Sequence, residues 1–206
     1  MHNIKIISVD LQKEFSAKGG KHYRHHSNVD FIKKILAPFL KKNNIKVAEI
    51  VSDYRQPRPG DPDDSARPGE EGYVSEIPES VKLKNIWIKC MNSPIWTREN
   101  IGNPNKKPGL PYQNPEAFTD WLNSTIGRPQ EADEVVLIGL TIDCCVFCTA
   151  QELKFRGYNV KILTEAVDTY SGNPQEKDMI LNNPPLLNWA RVISWDELKK
   201  KLRDKL

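Results

Sequence analysis

Three of the four cysteines, Cys144, Cys145 and Cys148, crowd into the stretch IDCCVFC, shortly after the most hydrophobic run of the chain, EVVLIG. Two further reactive side chains stand at the ends of apolar runs: Asp10 after IKIISV and Lys89 near the end of NIWIKC. An aspartate, a lysine and a cysteine that meet at one edge of a sheet make a nucleophilic site. A free thiol has a pKa of about 8.5 and carries little thiolate at neutral pH. Cys145 falls in the first turn of a predicted helix, where unpaired N–H groups and the macrodipole favour an anion. A Lys89 ammonium nearby is expected to lower the thiol pKa further. Asp10 suits the part of general base and then acid, taking the thiol proton and returning it to a leaving amine. Backbone N–H groups in the 141–145 turn are candidates to bind a developing oxyanion, a donor of that kind contributing about 3–4 kcal/mol to the transition state.

The elements that must bring these residues together are legible as alternating patterns. Ile4–Val9 is a continuous β-branched run, the mark of a strand buried on both faces. Ser27–Lys42 has helical spacing in Val29, Ile32, Ile35, Leu36 and Phe39, with Ser27 or Asn28 as N-cap and Pro38 as a kink or a harmless missing N–H. Ile45–Val51 reads as a second strand ending at Ser52-Asp53, and Asn85–Cys90 as a third. Between them, Gln56–Pro78 is a long Pro/Gly/acid-rich loop, and Asn92–Asn114 is another. Pro115–Ile126 reads as a helix, Glu134–Gly139 as the central strand, and Asp143–Arg156 as a helix closed by Gly157. Asn159–Leu163 is the next strand, Gln175–Asn182 a helix, Arg191–Ile193 a short strand and Asp196–Leu206 a terminal helix. Strands alternating with helices predict a three-layer α-β-α, Rossmann-like fold with a mainly parallel sheet of about six strands, residues 1–206 forming one domain. In such a sheet the binding crevice lies beyond the carboxyl ends of the strands, where all three reactive residues fall.

Bulk properties narrow the class. The 30 basic and 27 acidic residues leave a formal charge of +3, which does not make a nucleic-acid-binding field. The basic tail KKKLRDKL reads as the solvated face of the last helix. No apolar run approaches the ~18–20 residues of a membrane span. The opening MHNIKIISVDLQ has no leader pattern, and adjacent cysteines suit free thiols in a reducing compartment, so a cytoplasmic protein is expected.

Three segments resemble the isochorismatase-like cysteine hydrolases, the superfamily of nicotinamidases, carbamoyl-amide hydrolases and isochorismatases. IISVDLQKEF resembles its opening pattern through Asp10, Gln12 and Phe15; IWIKCMNS resembles the strand carrying its catalytic lysine, here Lys89. VVLIGLTIDCCVFCTAQELKFRGYNVKILTEAVDTYSG resembles the nucleophile segment through Gly139, Asp143, Cys145, Val146, Thr149, Ala150, Gly157, Tyr158 and Val160. The resemblance selects Cys145 over Cys144, and implies a cis peptide at Leu140–Thr141 with an oxyanion hole from the N–H groups of Thr141 and Cys145. It implies hydrolysis of a small amide or carbamoyl C–N bond through a thioester on Cys145, and a homodimer or homotetramer.

Two departures shape the expectation. Nicotinamidases carry an Asp-x-His pair and a further histidine that bind a metal; here the stretch reads Asp53-Tyr54-Arg55, and no histidine follows His26. A metal-independent enzyme without cofactor is therefore expected. Isochorismatases proper lack the nucleophilic cysteine, so vinyl-ether hydrolysis is not. The Ser93–Asn114 loop is extended, and its Trp96, Arg98 and Tyr112 are candidates to line the pocket. Phe15, Arg55, Trp96 and Arg98 are the substrate-binding candidates, the two arginines for a carboxylate. Cys144 and Cys148 are expected to be structural, and His22, His25 and His26 to decorate an exposed loop. Two other readings remain: a thiol–disulfide oxidoreductase using Cys145 and Cys148, and a non-catalytic binding subunit.

Overall fold

The computed structural model describes residues 3–204. In chain order the elements are β1 (Ile4–Val9), α1 (Lys13–Ser16), α2 (Ser27–Phe31), a π-helical turn at Ile32–Leu36, α3 (Ala37–Lys42), β2 (Val47–Ser52), β3 (Trp87–Lys89), β4 (Trp96–Thr97), β5 (Tyr112–Gln113), α4 (Pro115–Thr125), β6 (Glu134–Leu140), α5 (Cys145–Phe155), β7 (Val160–Asp168), α6 (Pro174–Asn182), α7 (Leu186–Trp189), β8 (Arg191–Ile193) and α8 (Trp195–Arg203). Six strands form one sheet in the order β3-β2-β1-β6-β7-β8. Every pairing in it is parallel. The predicted terminal helix is present to Arg203, and its last two positions, Lys205 and Leu206, lie outside the described residues.

The unbroken apolar runs of β1 and β6 follow from burial on both faces. Ile7, Val9, Val135 and Leu137 point into one core with Phe118, Trp121 and Leu122 of α4 and Val146, Ala150 and Leu153 of α5. Ile4, Ile6, Val136, Ile138 and Leu140 point into the other, against Ile32, Leu36 and Leu40 of the α2–α3 run and Leu198 and Leu202 of α8. Each such side chain taken fully from water contributes about 1.5–3 kcal/mol, so two cores clamp the central strands. No helix among the described residues is long and apolar enough to cross a membrane.

Four local expectations need correction. The first helix does not start on a Ser27 or Asn28 side-chain cap. His26 holds the cap position without a side-chain bond, and the free Ser27 N–H donates instead to the Asp168 carboxylate at 3.2 Å. Asn28 is buried and donates to the carbonyls of Gly139 and Ala166 at 3.1 and 3.2 Å, which pins α2 to the sheet. Pro38 takes the second of its two expected places, in the first turn of α3 after the wide turn at Ile32–Leu36, where a missing N–H is harmless. That turn shifts the helical phase, so Ile35 is 47% exposed and leaves the buried stripe. β7 runs to Asp168, beyond the predicted end at Leu163. Its polar Thr164 and Glu165 look like loop residues, but Glu165 is used internally, accepting the Trp195 N–H at 3.0 Å. The Asn92–Asn114 loop contains the small antiparallel pair β4–β5, which two-residue strands are too short to announce.

Candidate active site

The sheet order places the carboxyl ends of β3, β2, β1 and β6 side by side, and each end delivers one polar group. Asp10 follows β1 directly. Its φ of 47° is a left-handed conformation that aspartate tolerates better than most residues, and its N–H donates to Ile50 O at 2.9 Å. β1 lies against β6 with Val9 opposite Gly139. A side chain at Gly139, whose φ is +115°, would put its Cβ 2.1 Å from Val9 O, so only glycine lets the two strand ends meet this closely.

Lys89 closes β3 opposite Ser52, the last residue of β2. Its side chain is 0% exposed. The ammonium lies 2.8 Å from Asp10 Oδ2, and its three hydrogens are shared with Ser52 Oγ at 2.9 Å, Tyr54 Oη at 2.6 Å, Met91 O at 3.1 Å and Cys145 Sγ at 3.4 Å. Ser52 in turn donates to Asp10 Oδ1 at 2.7 Å. Burial pulls the Lys89 pKa down, but the Asp10 carboxylate and then Cys145 more than offset it, so the lysine is held charged. Asp10 Oδ2 is fully enclosed and faces the ammonium 2.8 Å away.

Cys145 begins α5, so its own N–H has no acceptor within the helix. The Thr141 carbonyl accepts from the N–H groups of Cys144 and Val146 at 3.1 and 2.9 Å, curling the 141–146 turn over the end of β6. The Leu140–Thr141 peptide is cis, as the family resemblance implies. Around Cys145 Sγ stand Tyr54 Oη at 3.3 Å, Lys89 Nζ at 3.4 Å, Asn92 Oδ1 at 3.8 Å and Cys144 Sγ at 3.9 Å. The thiol pKa is not lowered, as the helix start and Lys89 lead one to expect. The hydrogen bond to Cys144 and burial push it up against the lowering effect of Lys89, and the same bond lowers Cys144. The thiol thus lies beside the Lys89–Asp10 ion pair.

These groups form one end of a cavity of about 510 Å³ that also takes in Phe15, His22, Arg58, Asp61 and Tyr170. Of the residues expected to touch substrate, Phe15 lines it. Arg55, Trp96 and Arg98 do not. Arg55 grips Asp53 through Nε and Nη2 at 2.8 and 2.6 Å. It spends Nη1 on the carbonyls of Asn103 and Lys106, both at 3.0 Å. Arg98 donates to the carbonyls of Asp53 and Pro57 at 2.6 and 3.1 Å. Trp96 is half-buried in the β4–β5 pair. The arginines thus fasten the 93–114 loop to the body, and the cavity wall comes instead from the segment after β2, through Arg58, Asp61, Asp63 and Ser65. Asp53 has no spare carboxylate oxygen for a metal: both are taken by the guanidiniums and the Gly102 N–H, 2.8 Å away. The nicotinamidase-type metal does not fit this donor set. Among the described residues no group of three or more His, Cys, Asp or Glu side chains is arranged to hold a metal ion.

Three other expectations change. Cys144, expected to be structural, lines the cavity beside Cys145. His22 lines the cavity stacked on Phe15, with ring centroids 6.1 Å apart. His26 is buried against Asp168 at 3.8 Å, leaving His25 as the exposed one of the three. Tyr54 and Arg58 carried no motif to announce them: Tyr54 is the middle residue of Asp-Tyr-Arg, and Arg58 sits in a loop. Cys148 is pushed up to about 11 by burial, and the sulfur next to Cys145 is that of Cys144, so the C-x-x-C pair is not the one the fold brings together.

Residues 114–197 match the isochorismatase domain. No curated protein matches the sequence. Three solved structures share the fold along nearly the whole chain. A cysteine hydrolase from Pseudomonas syringae pv. phaseolicola superposes with a TM-score of 0.67 at 15% identity, covering 99% of this chain and 94% of that one. A nicotinamidase/pyrazinamidase from Bacillus subtilis gives 0.63 at 18% identity, covering 93% and 99%. An N-carbamoylsarcosine amidase from Thermoplasma acidophilum gives 0.58 at 21% identity, covering 96% and 98%.

Proposed function

We propose that this isochorismatase-like chain is a cysteine amidohydrolase that cleaves a small amide or carbamoyl C–N bond through a thioester on Cys145. One observation carries the reading: the Lys89 ammonium sits between Asp10 Oδ2 at 2.8 Å and Cys145 Sγ at 3.4 Å, at the end of a cavity. A void of about 510 Å³ suits a small molecule and not a folded chain. The relatives whose names specify a substrate, a nicotinamidase/pyrazinamidase and a carbamoylsarcosine amidase, act on such bonds.

The steps follow from the parts. Cys145 Sγ attacks the carbonyl carbon while its proton passes to Asp10. The carbonyl oxygen, now negative, is held by the N–H groups of Thr141 and Cys145. Asp10 returns the proton to the departing amine or ammonia as the C–N bond breaks, leaving the acyl group on sulfur. Water, deprotonated by Asp10, then attacks the thioester, the C–S bond breaks to release the acid, and Asp10 returns the proton to the Cys145 thiolate. Lys89, 2.8 Å from Asp10 Oδ2, holds the carboxyl group in place between its proton transfers, and the cycle needs no metal or redox group.

A panel of small amides, ureas and carbamoyl amino acids, assayed for ammonia release, tests the reading. At least one is expected to be turned over by the wild type and not by Cys145→Ala, with a rapidly quenched sample showing the acyl mass on the Cys145 peptide. Ammonia release that survives Cys145→Ala ends the reading.

A further inference from the structure

We propose that Tyr54 is a further catalytic residue, its hydroxyl donating a hydrogen bond to the Cys145 sulfur that holds the nucleophile in place and stabilises its anion. The inference rests on the reading of Cys145 as nucleophile. Tyr54 is 5% exposed. Among the described residues its Oη has two partners, Lys89 Nζ at 2.6 Å and Cys145 Sγ at 3.3 Å. An ammonium can only donate, so Lys89 takes a lone pair of the phenol oxygen and the phenol's own proton is left for the sulfur. A donor whose oxygen already receives a charged hydrogen bond is itself strengthened, because the two bonds polarise one another.

The ring cannot easily turn away. The Arg58 guanidinium covers its face at 4.0 Å from the centroid, and the Phe15 ring meets it at 6.3 Å and 72°. Ser52 and Tyr54 lie two residues apart at the end of β2, and both accept from Lys89. The first steadies Asp10 and the second reaches the thiol. Two hydroxyls from one strand end thereby connect the carboxylate, the ammonium and the sulfur. Among the described residues no hydrogen bond joins Cys145 to Asp10 directly, and the Tyr54 phenol is the one hydroxyl hydrogen-bonded to the sulfur.

Tyr54→Phe removes the hydroxyl and keeps the ring that packs on Phe15 and Arg58. The readout is the rate at which iodoacetamide labels Cys145, followed by peptide mass from about pH 7 to 10, which needs no substrate. Loss of a hydrogen bond to a charged group is expected to slow labelling by about tenfold or more at each pH below the thiol's midpoint, while Cys148 labels as before. Replacing Tyr54 with 3-fluorotyrosine, a stronger donor, is expected to speed it. Unchanged Cys145 labelling in Tyr54→Phe overturns the proposal. So does a uniform rise at Cys90, Cys145 and Cys148, which marks a purely structural role. Residual ammonia release by Cys145→Ala is a separate failure, that of the nucleophile assignment.

Discussion

Lys89 has three hydrogens and meets five acceptors, yet no part of it reaches solvent. A charge so enclosed depends on its counter-ion, and Asp10, 2% exposed, depends on it equally. Removing one partner of a buried pair leaves the other uncompensated, at a cost of about 3–5 kcal/mol, whereas removing both is often close to neutral. Lys89→Met is therefore expected to lower unfolding stability in urea by about that amount, and Asp10→Asn/Lys89→Met to regain most of it while remaining inactive. If the double variant is as unstable as the single one, stability at this position comes from packing and not from charge compensation. Asp10, Lys89 and Cys145 were visible in the sequence because each closes or follows an apolar run, and a parallel sheet gathers such ends at one edge. Tyr54 was not, because nothing local distinguishes it; only the order β3-β2-β1-β6 brings its hydroxyl between two of the others.

Loops separate what local pattern can and cannot reveal at the scale of elements. The strands and longer helices were legible from their periodicity, since two buried faces leave β1 and β6 no polar position to spare. The two long loops were legible only as Pro/Gly-rich stretches, and their roles were reversed. Asp53 explains why. Burial raises its carboxyl pKa, but the hydrogen bonds from Arg55 and Gly102 and the charges of Arg55 and Arg98 outweigh that and hold it below the usual carboxylate range. The pair of arginines drawn to it carries the 98–106 backbone inward, so the segment after β2 is left to wall the cavity. Asp53→Ala removes the anchor and strands two buried guanidiniums. It is expected to cost about 3–5 kcal/mol and to open the 98–106 segment to limited proteolysis before the rest of the chain. Cleavage that begins elsewhere, with 98–106 still protected, counts against the anchoring role.

Across the whole molecule the buried thiols make alkaline pH the side on which the fold weakens early. Burial pushes both Cys90 and Cys148 up to about 11 from an ordinary value of 9.0. Cys145 is raised as well, its hydrogen bond to Cys144 coming first and burial second, but the same bond lowers Cys144 and offsets part of the pair's share. A thiol held protonated in the folded state ionises first in the unfolded chain. Its stabilising contribution is complete below the unfolded value and is lost as pH rises towards the folded one. Unfolding stability is therefore expected to decline from about pH 8.5 to 11. On the acid side the sign reverses, because Asp53 and Asp168 have lowered values. Their contribution is present above the ordinary carboxylate range near 4 and fades as pH falls through it and below. Cys90 is wholly enclosed, so it should account for a definite share of the alkaline loss, roughly 3 kcal/mol when its own range has been crossed. Urea titrations from about pH 7 to 11 on the wild type and Cys90→Ala check this. The variant begins lower because a cavity replaces the sulfur, and its curve should then fall less steeply, so that the two converge with rising pH. Parallel curves would mean that Cys90 ionises alike in both states, and that the alkaline weakness comes from Cys148, Cys145 or the buried tyrosines.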